Sequence, residues 1–571
     1  MRKSIWKNLI CATGVLALVM ALRPTTSAAP VSEVKGCDQF LVPKKNDING
    51  KPVGQEVCRM TEIEFEYQGR KYMRLDVGVT GTLEGYALKD DKARYSNYFN
   101  VYPEFVYQQG GEEDKPVVHG IGRYSMEQGS SMTVVYPVNK ADWNGKLFVN
   151  AHGAGRSFAR GNAKFWYEEL TETDPIAGIS KYEKLMIDKG YIMAKTRRST
   201  LMQGGDLNVT LDDGTVLKNR NVTEQPPLIM QFAKLAANLA QPHLGALPSK
   251  TYWYGHSGGA RPGRMVSYKA GINVDTDGTP IIDGVIVDDA GSGLWLPVAM
   301  KDGKDVIFTT DEDKKRMVPT IEIGHLLYVN ETPDDPPVFR GSNNFLHNKR
   351  QNAKILRDKG MWNKFRYYEI DGISHGGGEN LPDGKRGDIS IIDMSRLMDG
   401  FIDHLDAWVD KGVAPPPTRS DWRELGDIDK DNIVENPAID MPEVGCGLGV
   451  YHIFPVSSGA SGQGTTGFAG FTGTGLEPID GRGEFRDDPD IVNVAQGFVD
   501  MNGNGYRDYV ETVTEAWQRT GMLKPNETFN RERFLQCVEK VITKLEVDKF
   551  FTKKTVDFYK QQARTMPLPA K

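Results

Sequence analysis

The sequence predicts an α/β fold: a mostly parallel sheet with helices on both faces, preceded by a β-rich segment and followed by a helical C-terminal region. Three observations carry this. Strand-like and helix-like runs alternate between positions 145 and 410, the signature of a parallel sheet with crossover helices. Residues 30–140 instead hold short β-like runs, "EIEFEYQ", "YMRLDVGV", "FVYQ" and "SMTVVYPV". The final stretch returns to helical patterns, as in "YVETVTEAWQRTG" and "ERFLQCVEKVITKL".

The elements follow in order. "GKLFVNAHGAG" is an apolar run that ends in glycines, and "SKYEKLMIDKG" (180–190) is helical. "YIMAKTR" (191–197) is a strand, "QPPLIMQFAKLAANLAQPHLG" (225–245) a longer helix, and "KTYWYG" a strand with a helix beyond it. Strands are then expected within 281–291, 318–329 and 364–372, and helices at 346–359 and 389–410. In such sheets the functional loops lie at the carboxyl ends of the strands. "DKGVAPPPTRSD" (410–421) reads as a helix end and a proline-stiffened boundary. The organisation expected is a leader (1–29), a β-rich segment of the main unit (30–140), an α/β domain (141–415) and a C-terminal region (416–571). Within the last, the Gly/Ser-rich 456–478 stretch is a linker by default and a site-lining loop as the alternative.

Composition narrows the classes. A chain of 571 residues with 39% hydrophobic residues has ample material for a buried core, which excludes a disordered or fibrous protein. The net charge of −6 leaves no footprint for nucleic acid or an anionic membrane. Arg2, Lys3 and Lys7, the apolar "LICATGVLALVMAL" and the small residues of "TTSAAP" form a secretory leader. Its apolar run is short for a membrane span, so a secreted or periplasmic protein without a stable membrane anchor is expected. Outside the leader stand Cys37, Cys58, Cys446 and Cys537. An even number in an oxidising compartment suggests two disulfides. Three pairings are possible, and closeness in sequence favours Cys37–Cys58 with Cys446–Cys537. No cysteine has a partner at zinc-ligand spacing.

"WYGHSGGARP" (253–262) contains G-x-S-x-G, a pattern that arises by chance in many chains. Here a strand precedes Ser257 and a helix follows it, the sharp turn an exposed nucleophile needs, with Gly255 and Gly259 permitting the tight backbone. A tetrahedral oxyanion needs two N–H donors. Gly258 supplies one, and Gly153 or Ala154 of "NAHGAG" the other. His375, in "EIDGISHGGG" after the last strand, is the best placed of nine histidines for the general base, completing the order Ser…acid…His. His256 leaves the turn in another direction, His325 sits in a strand-like run and reads as packing, and His152 orients its loop. The acid is expected after the 318–329 strand, where Asp335 is favoured and Asp334 and Glu331 are alternatives. Asp288 and Asp289 are outside candidates. Trp253, Tyr254 and the "WY" at 166–167 could line an acyl pocket but more often pack.

Through "HGAG", "GHSGG" and "GISHGGG" the chain resembles the α/β-hydrolase superfamily, over residues 152–377 and in the superfamily's order. The stretch "DKDNIVENPAIDMPEVGCGLGVYHI" (429–453) is loosely similar to the region after the catalytic histidine in large secreted bacterial α/β-hydrolase-domain proteins. The resemblance implies hydrolysis of carboxylic esters and leaves the substrate open.

"DMNGNGYRDYVE" (500–511) fits an EF-hand-like calcium loop: Asp500, Asn502 and Asn504 at positions 1, 3 and 5, Gly505 at the turn, the Tyr506 carbonyl, Asp508 and Glu511. A structural Ca2+ is expected there; otherwise it is a polar turn before a helix. "DIDKDNIVEN" begins alike at Asp427, Asp429 and Asp431, but Asn432 replaces the glycine and Ala438 the last carboxylate, which leaves room only for a looser site. The leading expectation is a secreted serine esterase acting on an ester substrate through an acyl-enzyme. A peptidase or acyltransferase on the same triad is the nearest alternative, and a non-catalytic, calcium-stabilised binding protein the more distant one. Oligomeric state is not legible.

Overall fold

A computed structural model describes residues 35–88, 119–152, 175–196, 209–217, 226–325, 345–373, 385–451, 467–468 and 517–565, apart from short breaks within those spans. The expected leader and the 500–511 loop lie outside the described residues, as does the 456–478 stretch except for Gly467–Phe468, which form a short antiparallel strand.

The sheet begins with a hairpin, β1 (Pro52–Tyr67) and β2 (Arg70–Leu88). Gln68 and Gly69 join them, both at positive φ, the two-residue turn whose twist matches its strands. Strands β3 (His119–Ser125) and β4 (Ser130–Pro137) pair antiparallel with β2. Then come β5 (Lys146–His152), helix α1 (Lys181–Asp188) and β6 (Ile192–Thr196). Helix α2 (Pro226–Leu244), β7 (Lys250–His256), α3 (Ala260–Tyr268) and β8 (Gly284–Asp288) follow. Strand β9 (Thr320–His325), α4 (Phe345–Asp358), β10 (Phe365–Ile370) and α5 (Ser395–Lys411) complete the unit. Helix α1 starts on a capping box, Ser180 and Glu183 each satisfying the other's backbone N–H.

The strand order is β3-β2-β4-β6-β5-β7-β8-β9-β10, parallel from β6 to β10 and antiparallel before it. Helices cover both faces, so this is the α/β-hydrolase fold. Alternation along β7 shows the two layers: Tyr252 and Tyr254 pack with α1 and α5, and Trp253 with α2 and α3, all three fully buried.

C-terminal helices α6 (Arg531–Val547) and α7 (Lys553–Thr565) join the α5 layer. Phe550 packs edge-on to Tyr368 of β10, which stacks on Phe401 of α5. After the proline-rich stretch the chain stays against the sheet, forming bridges Tyr368↔Arg419 and Ile370↔Ile439 beside β10. Disulfides join Cys37 to Cys58 and Cys446 to Cys537, with Cα separations of 5.0 and 5.9 Å. Among the described residues no helix is long and apolar enough to cross a membrane.

Candidate active site

The connection after β5 leads to β6 on one side of it, whereas the connection after β7 leads to β8 on the other. This reversal makes the carboxyl ends of β5 and β7 a topological switch point, the place where open α/β sheets bind their ligands. The register is level there: His152 pairs with His256, and His256 with Asp288. Residues 153 and 257 therefore each follow directly from neighbouring strand ends.

Between the end of β7 at His256 and the start of α3 at Ala260 only three residues reverse the chain. Gly255 shows how tight the reversal is. A Cβ there would lie within 3.0 Å of the Gly259 carbonyl oxygen, 2.7 Å from Trp253 Nε1 and 2.8 Å from Ala260 Cα. No side chain fits, which accounts for a glycine two residues before the serine. Gly263 brings α3 close to the sheet, its would-be Cβ 3.2 Å from Val285. Fully buried Arg264 and Ser267 then tie α3 to Glu322 and Thr320 of β9, and Asn352 of α4 donates to Glu322 at 2.8 Å.

Several expected site residues lie outside the described residues: Ser257, Gly258, Gly153, Ala154, Glu331, Asp334, Asp335, His375, the Trp166–Tyr167 pair and the side chain of His152. Their described neighbours bracket them. The acid candidates fall between β9 and α4. His375 comes two residues after Ile373, which is fully buried beyond the end of β10. Between the end of β10 and Ile373, Gly372 turns the chain at φ 71°. Asp371, at that turn, is raised in pKa chiefly by burial, with Asp421 and Glu369 adding to it.

Of the outside acid candidates, Asp288 is committed elsewhere. Its Oδ2 accepts from the Tyr254 hydroxyl at 2.7 Å, and its Oδ1 lies 2.9 Å from His325 Nε2. Asp289, at φ 41°, meets Lys349 Nζ through Oδ1 and lies 3.5 Å from His325 Nδ1 through Oδ2. All five side chains are fully buried. Burial would raise the Asp288 pKa, but the His325 charge and hydrogen bond outweigh it, and the net shift is downward. Burial would lower His325, but Asp289 and Asp288 outweigh it, and the net shift is upward. His256 is buried beside His325, ring centroids 6.3 Å apart. His325 thus bridges charges where the sequence suggested packing alone. Lys349 was not legible as a site residue, because a lysine in a polar helix reads as solvated.

Away from this edge, Asp427, Asp429, Asp431 and Glu435 place ligand oxygens within 4.8 Å of one another. Asp427 accepts from the Lys430 and Asn432 backbone N–H groups, and Asp431 from Ile433. Such an all-carboxylate set could coordinate a divalent cation, and hard oxygen ligands suit calcium or magnesium. Glu435, at the ninth loop position, joins the three aspartates that the sequence singled out.

A protein family described as alpha/beta hydrolase domain matches residues 228–440. No curated protein matches the chain. Similar solved structures include a poly(3-hydroxybutyrate) depolymerase from Bordetella parapertussis, 13% identical, covering 51% of this chain and 88% of that one with a TM-score of 0.26. Thermogutta terrifontis esterase 2 is 14% identical over 49% of this chain and 90% of its own, with a TM-score of 0.27. A truncated carbohydrate esterase from gut microbiota is 13% identical, covers 43% and 83%, and has a TM-score of 0.24.

Proposed function

We propose that the protein is a secreted or periplasmic serine hydrolase that cleaves carboxylic esters at the carboxyl ends of β5 and β7. The observation that carries this is the short connection from β7 to α3, where the Gly259 carbonyl, Ala260 Cα and the Trp253 indole crowd Gly255 at the switch point of an α/β-hydrolase sheet. In this reading Ser257 Oγ attacks the ester carbonyl and passes its proton to His375. The backbone N–H groups of Gly258 and of Gly153 or Ala154 hold the oxyanion. His375 returns the proton to the departing alcohol, leaving an acyl-enzyme that a water activated by His375 hydrolyses. Asp335, with Asp334 or Glu331 as alternatives, orients the imidazole; the bonding of Asp288 to Tyr254 and His325 weighs against that residue. Ca2+ at 500–511, and more loosely at 427–435, is assigned a structural part, with no role in bond cleavage.

The test is a fluorophosphonate probe, which phosphonylates an activated serine, followed by peptide mass analysis. Label on the peptide carrying Ser257, lost in Ser257→Ala, is the expected result. An unlabelled wild-type protein, or label that persists in the variant, refutes the assignment.

A further inference from the structure

The carboxyl ends of β7, β8 and β9 are joined by a chain of fully buried polar contacts. Tyr254, three residues before Ser257, donates its hydroxyl to Asp288, the last residue of β8, at 2.7 Å. Asp288 reaches His325, the last residue of β9, at 2.9 Å. His325 continues to Asp289, both through its ring at 3.5 Å and through its backbone N–H at 3.4 Å. Asp289 ends the chain on Lys349 of α4.

Resting on the reading of Ser257 as nucleophile, we propose that His325 is a positioning residue: with Asp288, Asp289 and Lys349 it locks the ends of β7, β8 and β9 to one another and so holds the turn that carries the serine.

Two physical arguments support a positioning role over mere filling. Four buried ionisable groups must shed water, and apolar side chains of similar volume would commonly hold the same strands as well or better. What the polar chain adds is direction, since each contact fixes one atom against another. Asp289 also adopts φ 41°, a conformation L side chains rarely take and one that persists only when neighbours enforce it. Its backbone N–H bonds to Ile323 O at 3.0 Å while its carboxylate meets Lys349 and His325. The strain therefore sits in the chain leaving β8 at the catalytic edge.

The ring nitrogens of His325 face one carboxylate each, and a neutral imidazole has a single N–H to donate. Among the described residues, those around the ring include Asp288 on β8, Asp289 just beyond it, Lys349 on α4 and His256 on β7, with the Tyr254 hydroxyl one contact further. Two carboxylates facing both nitrogens favour the doubly protonated ring, balanced in turn by Lys349.

The experiment pairs Tyr254→Phe, which removes one hydroxyl and keeps the ring, with His325→Gln. Melting temperature, kcat and KM on an aryl ester, and the rate of fluorophosphonate labelling at Ser257 are read for each. Tyr254→Phe is expected to melt within a few degrees of wild type, with labelling and kcat lowered about tenfold and KM unchanged, as a small misplacement of a reacting group would give. His325→Gln is expected to lower both rates further; should it not fold, Tyr254→Phe carries the test. Unchanged labelling and kcat in Tyr254→Phe overturn the positioning role while wild-type label at Ser257 leaves the nucleophile reading intact. Wild-type protein that takes no label at Ser257 removes that reading and the proposal with it. The 15N spectrum of histidine-labelled protein is expected to show the His325 ring staying doubly protonated to higher pH than an ordinary imidazole, and a ring that loses its second proton at or below the ordinary imidazole pH overturns the bridge independently of any activity.

Discussion

Replacing Gly255 by alanine probes the reversal directly. The added methyl carbon would sit within 3.0 Å of the Gly259 carbonyl oxygen and Ala260 Cα, and 2.7 Å from Trp253 Nε1. Two of these are backbone atoms at the start of α3 and the third belongs to a fully buried indole, so none can swing aside as a surface side chain would. Relief requires Gly259 and the start of α3 to move outward by several tenths of an ångström or more. Overpacking of this kind costs about 1–3 kcal/mol. A displacement approaching 1 Å at a reacting group lowers rate by about 100-fold. Gly255→Ala is therefore expected to lose about 1–3 kcal/mol in urea unfolding and about 100-fold in aryl-ester kcat and in fluorophosphonate labelling. Gly36→Ala, whose Cβ would meet nothing closer than 4.0 Å, serves as the control and should behave as wild type. A Gly255→Ala protein that unfolds and labels like wild type would refute the tight-turn argument.

Three further outcomes follow from the same structure. Joint replacement of Cys446 and Cys537 by serine opens a link of 91 residues and should cost about 4 kcal/mol; urea unfolding unaltered by the change or by reductant would contradict it. Glu443 is fully buried against Tyr559, and burial chiefly raises its pKa from 4.5 to about 7. The folded state therefore favours the protonated form, so its contribution is complete below about pH 4.5 and is lost as pH rises through about 7. Glu443→Gln should flatten the fall in melting temperature between pH 5 and pH 8, and an identical profile in the variant would count against this. Calcium should raise the melting temperature and chelation lower it. Asp429→Asn and Asp500→Asn should divide that shift between the two loops, whereas no shift and no bound metal by mass analysis would remove both.

The order and type of the central elements were legible because each carries a strong local signal. "KTYWYG" is an apolar β-rich run closed by glycine, and α2 shows a sustained helical period, so local preference and tertiary burial agree. The strand that ends at His256 and the helix that begins at Ala260 were legible for the same reason: an apolar run closed by glycine, then a helix-compatible run. What local pattern could not give was pairing across the sheet. Asp288, Asp289, His325 and Lys349 are spread over β8, β9 and α4, and their meeting depends on strand order and register. His325 in isolation is an apolar run's odd polar residue, and Lys349 a polar helix's ordinary one. Glu435 stands at the ninth position, a ligand position in such loops as Asp508 is at 500–511. Asn432 in place of the glycine and buried Ala438 at the twelfth position break the pattern, so the ninth residue went unweighed. The segment after the prolines lies beside β10 through backbone bridges, a contact that proline content alone does not announce.

The central claim is that Ser257, carried on the turn between β7 and α3, is the nucleophile of an ester hydrolase. Its most direct measurement is the hydrolysis of short- and long-chain aryl esters by wild type and by Ser257→Ala, both folded by circular dichroism. Release of the phenol by wild type, falling by at least about 1,000-fold in the variant, is the predicted result. Equal rates in the two proteins, or no hydrolysis of any ester by wild type, would contradict the account.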